Sequence, residues 1–243
     1  MISRNAFIHR LAKRIAAAAD AVYPAGRVLR VGIDGDAGSG KTTLGSELAS
    51  ALTSLGHSVI IASTDHFHHT RAIRYRQGKC SPDGFYEDSY DYATLRRILL
   101  DPLSSGGNGR YRPRAFDHRL DAPVIVEETS APSGAILLFE GLFLHRPELH
   151  QYWDFSLFLD ASVATCFGRC AARGDGSPDP LAESNRRYVE GFRRYVRECD
   201  PCAKATVVID HEDLEHPHIT RECSGQRTTG LDSFSPDEVP PQG

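Results

Sequence analysis

Long hydrophobic runs are missing. No apolar stretch in the 243 residues approaches the roughly 20 needed to cross a bilayer, which argues against a membrane-spanning chain. Neither sign of charge dominates, since 28 Lys and Arg face 32 Asp and Glu for a net charge of −4. That balance gives no reason to expect a general nucleic-acid binder. Six cysteines are too few for a disulfide-stapled scaffold of this length. Cys199-x-x-Cys202 lacks a second pair at zinc spacing, because Cys166 and Cys170 are separated by three residues on an expected helix. A structural role is therefore favoured over a metal. The tract of His66, His68 and His69 also has no further ligand at metal spacing. What is present, 40% apolar and 25% charged residues, suffices for one α/β domain with a sizeable core.

The first twenty residues carry no acid before Asp20, superficially like a transit peptide. Phe7, Ile8, Leu11 and Ile15 nevertheless fall on one helical stripe, so an amphipathic helix over 2–20 and a cytoplasmic location are expected. Val28–Asp34 reads as a strand and Thr42–Leu55 as a helix stopped by Gly56. Val59–Ala62 is a second strand. The polar, aromatic stretch His66–Tyr90 reads as an ordered loop, and Asp91–Leu100 as helix. Val124–Glu128 is expected to be a strand in a small hairpin with Arg110–Arg114. Further strands are read at Ala135–Phe139, Phe155–Asp160 and Thr206–Asp210, with helices at about 161–173 and 181–199. Continuous apolar strands alternating with helices indicate a mostly parallel sheet covered on both faces. The last stretch, 219–243, turns to Ser, Thr, Asp, Glu, Gly and Pro and is expected to be a disordered tail.

Gly35-Asp36-Ala37-Gly38-Ser39-Gly40-Lys41-Thr42 fits G-x-x-x-x-G-K-[ST] without deviation. Such a match arises by chance in roughly one chain in a hundred of this length, and here a strand leads in and a helix leads out. Glycines allow successive backbone N–H groups to converge on phosphate oxygens, and the helix N-terminus adds positive potential. Lys41 reaches the outer phosphates, Thr42 offers a hydroxyl to Mg²⁺, and Thr43 completes the expected nucleotide-contacting set. The nucleotide is expected to be ATP.

The chain contains neither the N-K-x-D nor the D-x-x-G sequence of common GTPases. Two buried strands instead end in carboxylates, Asp65 after Val59–Ala62 and Glu140 after Ala135–Phe139. Ligands bind at the carboxyl ends of strands in open α/β sheets. Both acids are therefore expected at the γ-phosphate, one acting through the metal and the other taking the acceptor's proton.

The P-loop, Ser63-Thr64-Asp65-His66-Phe67 and Phe139-Glu140-Gly141, in this order, resemble the uridine (uridine–cytidine) kinase family. That family is related to phosphoribulokinase and bacterial pantothenate kinase, and the resemblance spans about 28–212. It implies a three-layer P-loop fold with a small β-hairpin insertion and a helical lid at about 169–190, within a kinase domain over 1–218. It further implies Asp65 as base for a nucleoside 5′-hydroxyl, with Glu140 and Thr42 holding Mg²⁺. Tyr86, Phe116 and His118 would contact a pyrimidine, although the stretch 111–119 departs from the family's spacing. Arg169 and Arg173 match the lid arginines that stabilise the transferred phosphoryl group. Arg186, Arg187, Arg193 and Arg194 read as a solvated helix face.

The expected activity is thus ATP-dependent phosphorylation of uridine or cytidine. Two alternatives stand beside it: a kinase for another small hydroxyl metabolite, and a nucleotide-binding regulator without catalysis. The expected partner is a small molecule rather than nucleic acid or membrane, and self-association is left open.

Overall fold

The computed structural model describes residues 2–22 and 26–222. Its centre is a six-stranded sheet whose middle strand, β1 (Leu29–Gly35), is buried along its whole length. The remaining strands and ribbons, in chain order, are β2 (Val59–Ser63), β3 (Arg110–Tyr111), β4 (Phe116–Asp117), β5 (Ala122–Pro123), β6 (Thr129–Ser130), β7 (Ile136–Gly141), β8 (Phe155–Asp160), β9 (Val207–Asp210) and β10 (His218–Glu222). The large sheet runs β10-β9-β8-β1-β7-β2, parallel except at the β10 edge. Strand order reverses around β1, which opens a crevice at the carboxyl ends of β1, β7 and β2.

Alternation along the strands supplies two core faces. Ile136 and Leu138 join Val31, Ile33, Leu157 and Ile209 beneath α1 (Arg4–Val22) and α2 (Lys41–Ser54). The Phe7, Ile8, Leu11 and Ile15 stripe of α1 is buried there, as its spacing predicts. Leu44, Leu48 and Leu52, four residues apart, do the same for α2. Leu137 and Phe139 face the other way, onto Leu95, Leu99 and Trp153. The Trp153 ring lies so close to β1 that a Cβ on Gly32 would sit 2.9 Å from it. Farther along that face, Phe158 and Val208 meet Phe192 and Tyr195 of α7 (Glu183–Cys199). The result is the three-layer α/β architecture expected from the alternating pattern.

Four expectations need correction. The stretch 66–90 is no simple loop: a 3₁₀ turn (Thr64–Phe67) leads into α3 (Arg71–Arg74) and α4 (Pro82–Asp88). These pieces are too short to show helical periodicity, although the Ser81 hydroxyl capping the Gly84 N–H ahead of Pro82 was a readable start signal. The helix expected over 91–100 is α5 (Tyr92–Leu95) followed by a π turn (Arg96–Leu100).

The strand expected at Val124–Glu128 is absent, and the insertion is built of two short ribbons, β3 with β6 and β4 with β5. Ile125 is 99% exposed, so no core receives that segment's apolar side. Finally, His218–Glu222 pairs antiparallel with β9 where the tail was expected from 219. The rest of that tail, 223–243, lies outside the described residues. The fold is completed by α6 (Val163–Ala172), which follows β8, and α8 (Pro201–Lys204). Among the described residues, no helix is long and apolar enough to cross a membrane.

Candidate functional site

The phosphate cradle is shaped by what surrounds it. Gly38 and Gly40 adopt φ of 81° and 96°, the left-handed region open to glycine. A Cβ on Gly38 would lie 2.2 Å from the Cys166 carbonyl oxygen of α6, so the glycine is required by packing as well as by dihedral. Lys41 Nζ donates to the Gly35 and Asp36 carbonyls at 2.9 and 2.7 Å, which turns the ammonium across the mouth of its own loop. Burial pushes the Asp36 carboxyl up to about 6, against the opposing pull of the Ala37 N–H and the Lys41 charge.

The loop is braced from a distant segment. The buried His211 ring donates from Nδ1 to the Ser39 carbonyl at 2.6 Å. Arg169 donates to the His211 and Glu212 carbonyls at 3.0 and 2.8 Å. Arg169, expected among the lid arginines, here ties α6 to the segment after β9. His211 escaped sequence reasoning because nothing local marks a histidine after a strand as a loop brace.

On β7, Glu140 lies between the two flanking strands, in register with Ile33 of β1 and Ser63 of β2. The Thr42 hydroxyl meets its two carboxylate oxygens at 3.1 Å each. Burial raises the Glu140 carboxyl, Lys41 opposes this, and the nearby Asp65 charge adds to it. Gly141 follows because a Cβ there would be 2.2 Å from Thr64 Oγ1, so only glycine lets the turn after β2 approach β7. That turn carries Asp65, whose backbone N–H is capped by Ser63 Oγ at 3.2 Å. Thr42 and Glu140 thus present oxygen ligands suited to a hard cation, beside a cradle fitted to phosphates.

Asp65 lines a cavity of about 770 Å³ reaching from Ala37 of the P-loop to Arg173 and Gly176 and on to α7. One wall packs the His68 ring between those of Tyr90 and His118, tilted against each, with ring centroids at 4.6 and 4.9 Å. Burial lowers the His68 imidazole to about 4, so it is neutral at neutral pH. His118 and Arg173 line the cavity, whereas Tyr86 and Phe116 do not. Tyr86 is buried beneath the guanidinium groups of Arg146 and Arg194, 4.0 and 4.7 Å from the ring centroid, with its hydroxyl on Cys199 Sγ. Phe116 is a buried ribbon residue opposite Pro123. Both are core aromatics beneath the loop, which corrects their assignment to the base.

Sequence reasoning missed four arginines on this cavity, Arg71, Arg74, Arg119 and Arg187. Arg187 is 5% exposed, contrary to its expected place on a solvated face. The overlooked signal is its spacing from Gly191 and Tyr195, one buried stripe of α7. Arg186 and Arg193 are exposed, and Arg194 bridges Asp83, Glu87 and Glu198. Also missed was a buried polar cluster behind the P-loop: Asp34 accepts from the Gly35 N–H, from His145 Nδ1 at 2.7 Å and from the Tyr195 hydroxyl.

A family model described as phosphoribulokinase / uridine kinase matches residues 30–210. Among solved structures, a possible uridine kinase from Bacillus stearothermophilus is similar at 26% identity, with 75% of this chain and 88% of that one covered and a TM-score of 0.59. A provisionally assigned fructose transport system kinase from Silicibacter sp. TM1040 shares 21% identity over 77% of this chain and 94% of that one, TM-score 0.61. D-glycerate 3-kinase from Cryptococcus neoformans var. grubii shares 13% identity over 88% and 99%, TM-score 0.57; these last two share the fold. No curated protein matches the sequence.

Proposed function

Since the chain belongs to the phosphoribulokinase / uridine kinase family, we propose that it transfers the γ-phosphoryl group of ATP to a hydroxyl of a small metabolite seated in the 770 Å³ cavity. The observation that carries this reading is the convergence of Thr42 and Glu140, 3.1 Å apart, with Asp65 lining that cavity. In the transfer, the acceptor oxygen bonds to the γ-phosphorus while the bond from that phosphorus to the β,γ-bridging oxygen breaks. ADP leaves with the electron pair, and the acceptor's proton passes to the Asp65 carboxylate. A magnesium ion held by the Thr42 and Glu140 oxygens would neutralise charge on the phosphates.

The chain's own groups do the rest. Loop amides from Gly38 to Thr42 hold phosphate oxygens, and Lys41 exchanges two carbonyl partners for them. Arg173, exposed on the lid, makes only long contacts to Cys170 Sγ at 3.5 Å and Asp175 at 3.7 Å, which it can exchange for the transferred group.

A second reading makes the acceptor a pyrimidine nucleoside. The aromatic wall of His68, Tyr90 and His118 favours it, as does likeness to the Bacillus protein. The test is ADP release by the purified chain with Mg·ATP and a panel of nucleosides, sugars, sugar phosphates and hydroxy acids. Acceptor-dependent ADP formation is expected. Tight nucleotide binding with no acceptor-dependent turnover would instead make the protein a nucleotide-binding regulator.

A further inference from the structure

The acceptor cavity holds more positive charge than a neutral alcohol requires. Arg71, Arg74, Arg119, Arg173 and Arg187 line it, against the carboxylates of Asp65 and Asp175 alone. Asp175 lies beside Arg173 out at the lid, and Asp65 belongs to the chemistry. The inner end is thus governed by Arg74 and Arg187, which are 9% and 5% exposed.

Neither of these two is fully satisfied by the protein. Arg187 donates from Nη1 to the Lys79 carbonyl at 2.6 Å, its Nε is buried without a partner, and no carboxylate among the described residues pairs with it. Its neighbours are instead aromatic faces, with Tyr75, Phe85 and Tyr188 ring centroids at 5.0, 5.4 and 5.5 Å. Arg74 reaches Asp121 at 3.3 Å and likewise has a buried, unpartnered Nε. Arg187 is thus taken from water without a matching anion and Arg74 with only one edge paired, which is costly, and the planar fork of each suits a carboxylate or a phosphate monoester. The aromatic faces hold the Arg187 guanidinium but carry no net charge to neutralise it.

We propose that Arg187 and Arg74 form a built subsite for an anionic group on the acceptor, so that the substrate is a hydroxyl metabolite bearing a carboxylate or a phosphate ester, and the phosphorylated hydroxyl lies at the Asp65 end of the same cavity. This rests on the kinase reading for the identity of the ligand, while the subsite itself is a matter of binding. His68, which also lines the cavity, is kept neutral by burial and leaves the positive charge there to the arginines. The same cavity would then hold one end of the acceptor by charge and deliver the other to the base.

The experiment measures binding by calorimetry to the full chain in the presence of Mg²⁺ and a non-hydrolysable ATP analogue. The probes are glycerate for the carboxylate, a pentose 5-phosphate for the phosphate ester, and uridine as the neutral control. One anionic probe should bind at least about tenfold tighter than uridine and weaken as salt rises from roughly 0.05 to 0.5 M. The preferred probe identifies which anion the subsite takes. Arg187→Gln and Arg74→Gln should each lose about tenfold or more of that affinity, with Arg187→Lys intermediate because the charge remains without the fork. Circular dichroism identifies any variant that fails to fold, and the remaining variants then decide.

Tighter binding of uridine than of either anion, failure of both anions to bind, or anion affinity untouched in the folded variants would each overturn the inference. Turnover assays separate it from the kinase reading. Arginine-dependent anion binding without any phosphorylation upholds the subsite and sinks the kinase, whereas robust phosphorylation of uridine with no arginine-dependent anion binding does the reverse.

Discussion

The phosphate side and the acceptor side of the crevice are built on opposite plans. On the phosphate side, eight consecutive residues, Gly35–Thr42, supply the loop amides, the lysine and a metal-directed hydroxyl, and one strand adds Glu140. On the acceptor side, Asp65, Arg74, Tyr90, His118, Arg173 and Arg187 come from six separate segments and meet only after folding. The first plan makes function a property of local backbone geometry. The second makes it a property of packing, in which α4 must dock on α7 before Arg187 has a cavity to face. A contiguous cradle fixes the nucleotide, and a dispersed wall is free to change acceptor without disturbing it.

The largest effect should come where the two sides meet. Asp65→Asn is expected to lower kcat by about 10²–10⁴-fold, the usual range for losing a general base, while ATP binding survives. Rapid-quench turnover with the preferred acceptor measures it, and a variant with unimpaired kcat would remove Asp65 from the chemistry.

Next is Gly38→Ala, which attacks the phosphate side alone. Its Cβ would meet the Cys166 carbonyl oxygen at 2.2 Å, and φ of 81° is strained for alanine. A loss of roughly 2–6 kcal/mol in stability is expected from strain and overpacking together. Urea unfolding checks this, and no change would mean that α6 yields freely.

The same contrast explains what could be read from the sequence. The sheet, α1, α2 and the crevice at Glu140 were legible because continuous apolar runs, i, i+4 leucines and the P-loop motif each report on neighbouring residues. Tyr86 and Phe116 were assigned to the ligand because an aromatic in a polar stretch gives no sign of which way it faces. In the fold, Tyr86 turns toward Phe143 and Cys199 and leaves the cavity to His68 and Tyr90. Arg187 was missed for the converse reason: arginine on a helix is usually solvated, and only its place on the Gly191–Tyr195 stripe hinted otherwise. The Val124–Glu128 segment opens with three β-branched apolar residues but pairs with no strand, and β-propensity alone does not make a strand.

A third prediction concerns charge stored in the cradle. Asp36 has its carboxyl raised from 3.8 to about 6 by burial, so the folded protein binds that proton more tightly than the unfolded chain. Its contribution is fully favourable below pH 4 and is lost as pH rises through 6, a difference of about 3 kcal/mol once both states are ionised. Asp36→Asn keeps an oxygen for the Ala37 N–H and removes the titration. The variant should exceed the parent in stability at pH 7.5 by about that amount, with the gap closing toward pH 4. Parallel stability curves across this range would contradict a buried, titrating Asp36.

The smallest expected effect tests whether the two sides are mechanically joined. Tyr195 of α7 donates its hydroxyl to Asp34, directly before the P-loop, and accepts from the His145 N–H at 2.9 Å. Four and eight residues earlier on the same stripe are Gly191 and Arg187. Tyr195→Phe removes the hydroxyl and leaves the ring, so Asp34 loses one charged hydrogen bond and the buried His145 N–H loses its acceptor. About 2 kcal/mol of stability should go, by urea unfolding. Because Asp34 still holds the Gly35 N–H at 2.8 Å, the cradle should keep its nucleotide affinity. The loosening should appear in α7, as faster amide exchange around Arg187 and a raised acceptor KM. Equal weakening of ATP and acceptor would mean that the dispersed wall and the contiguous cradle are one rigid unit, with no independent acceptor side to vary.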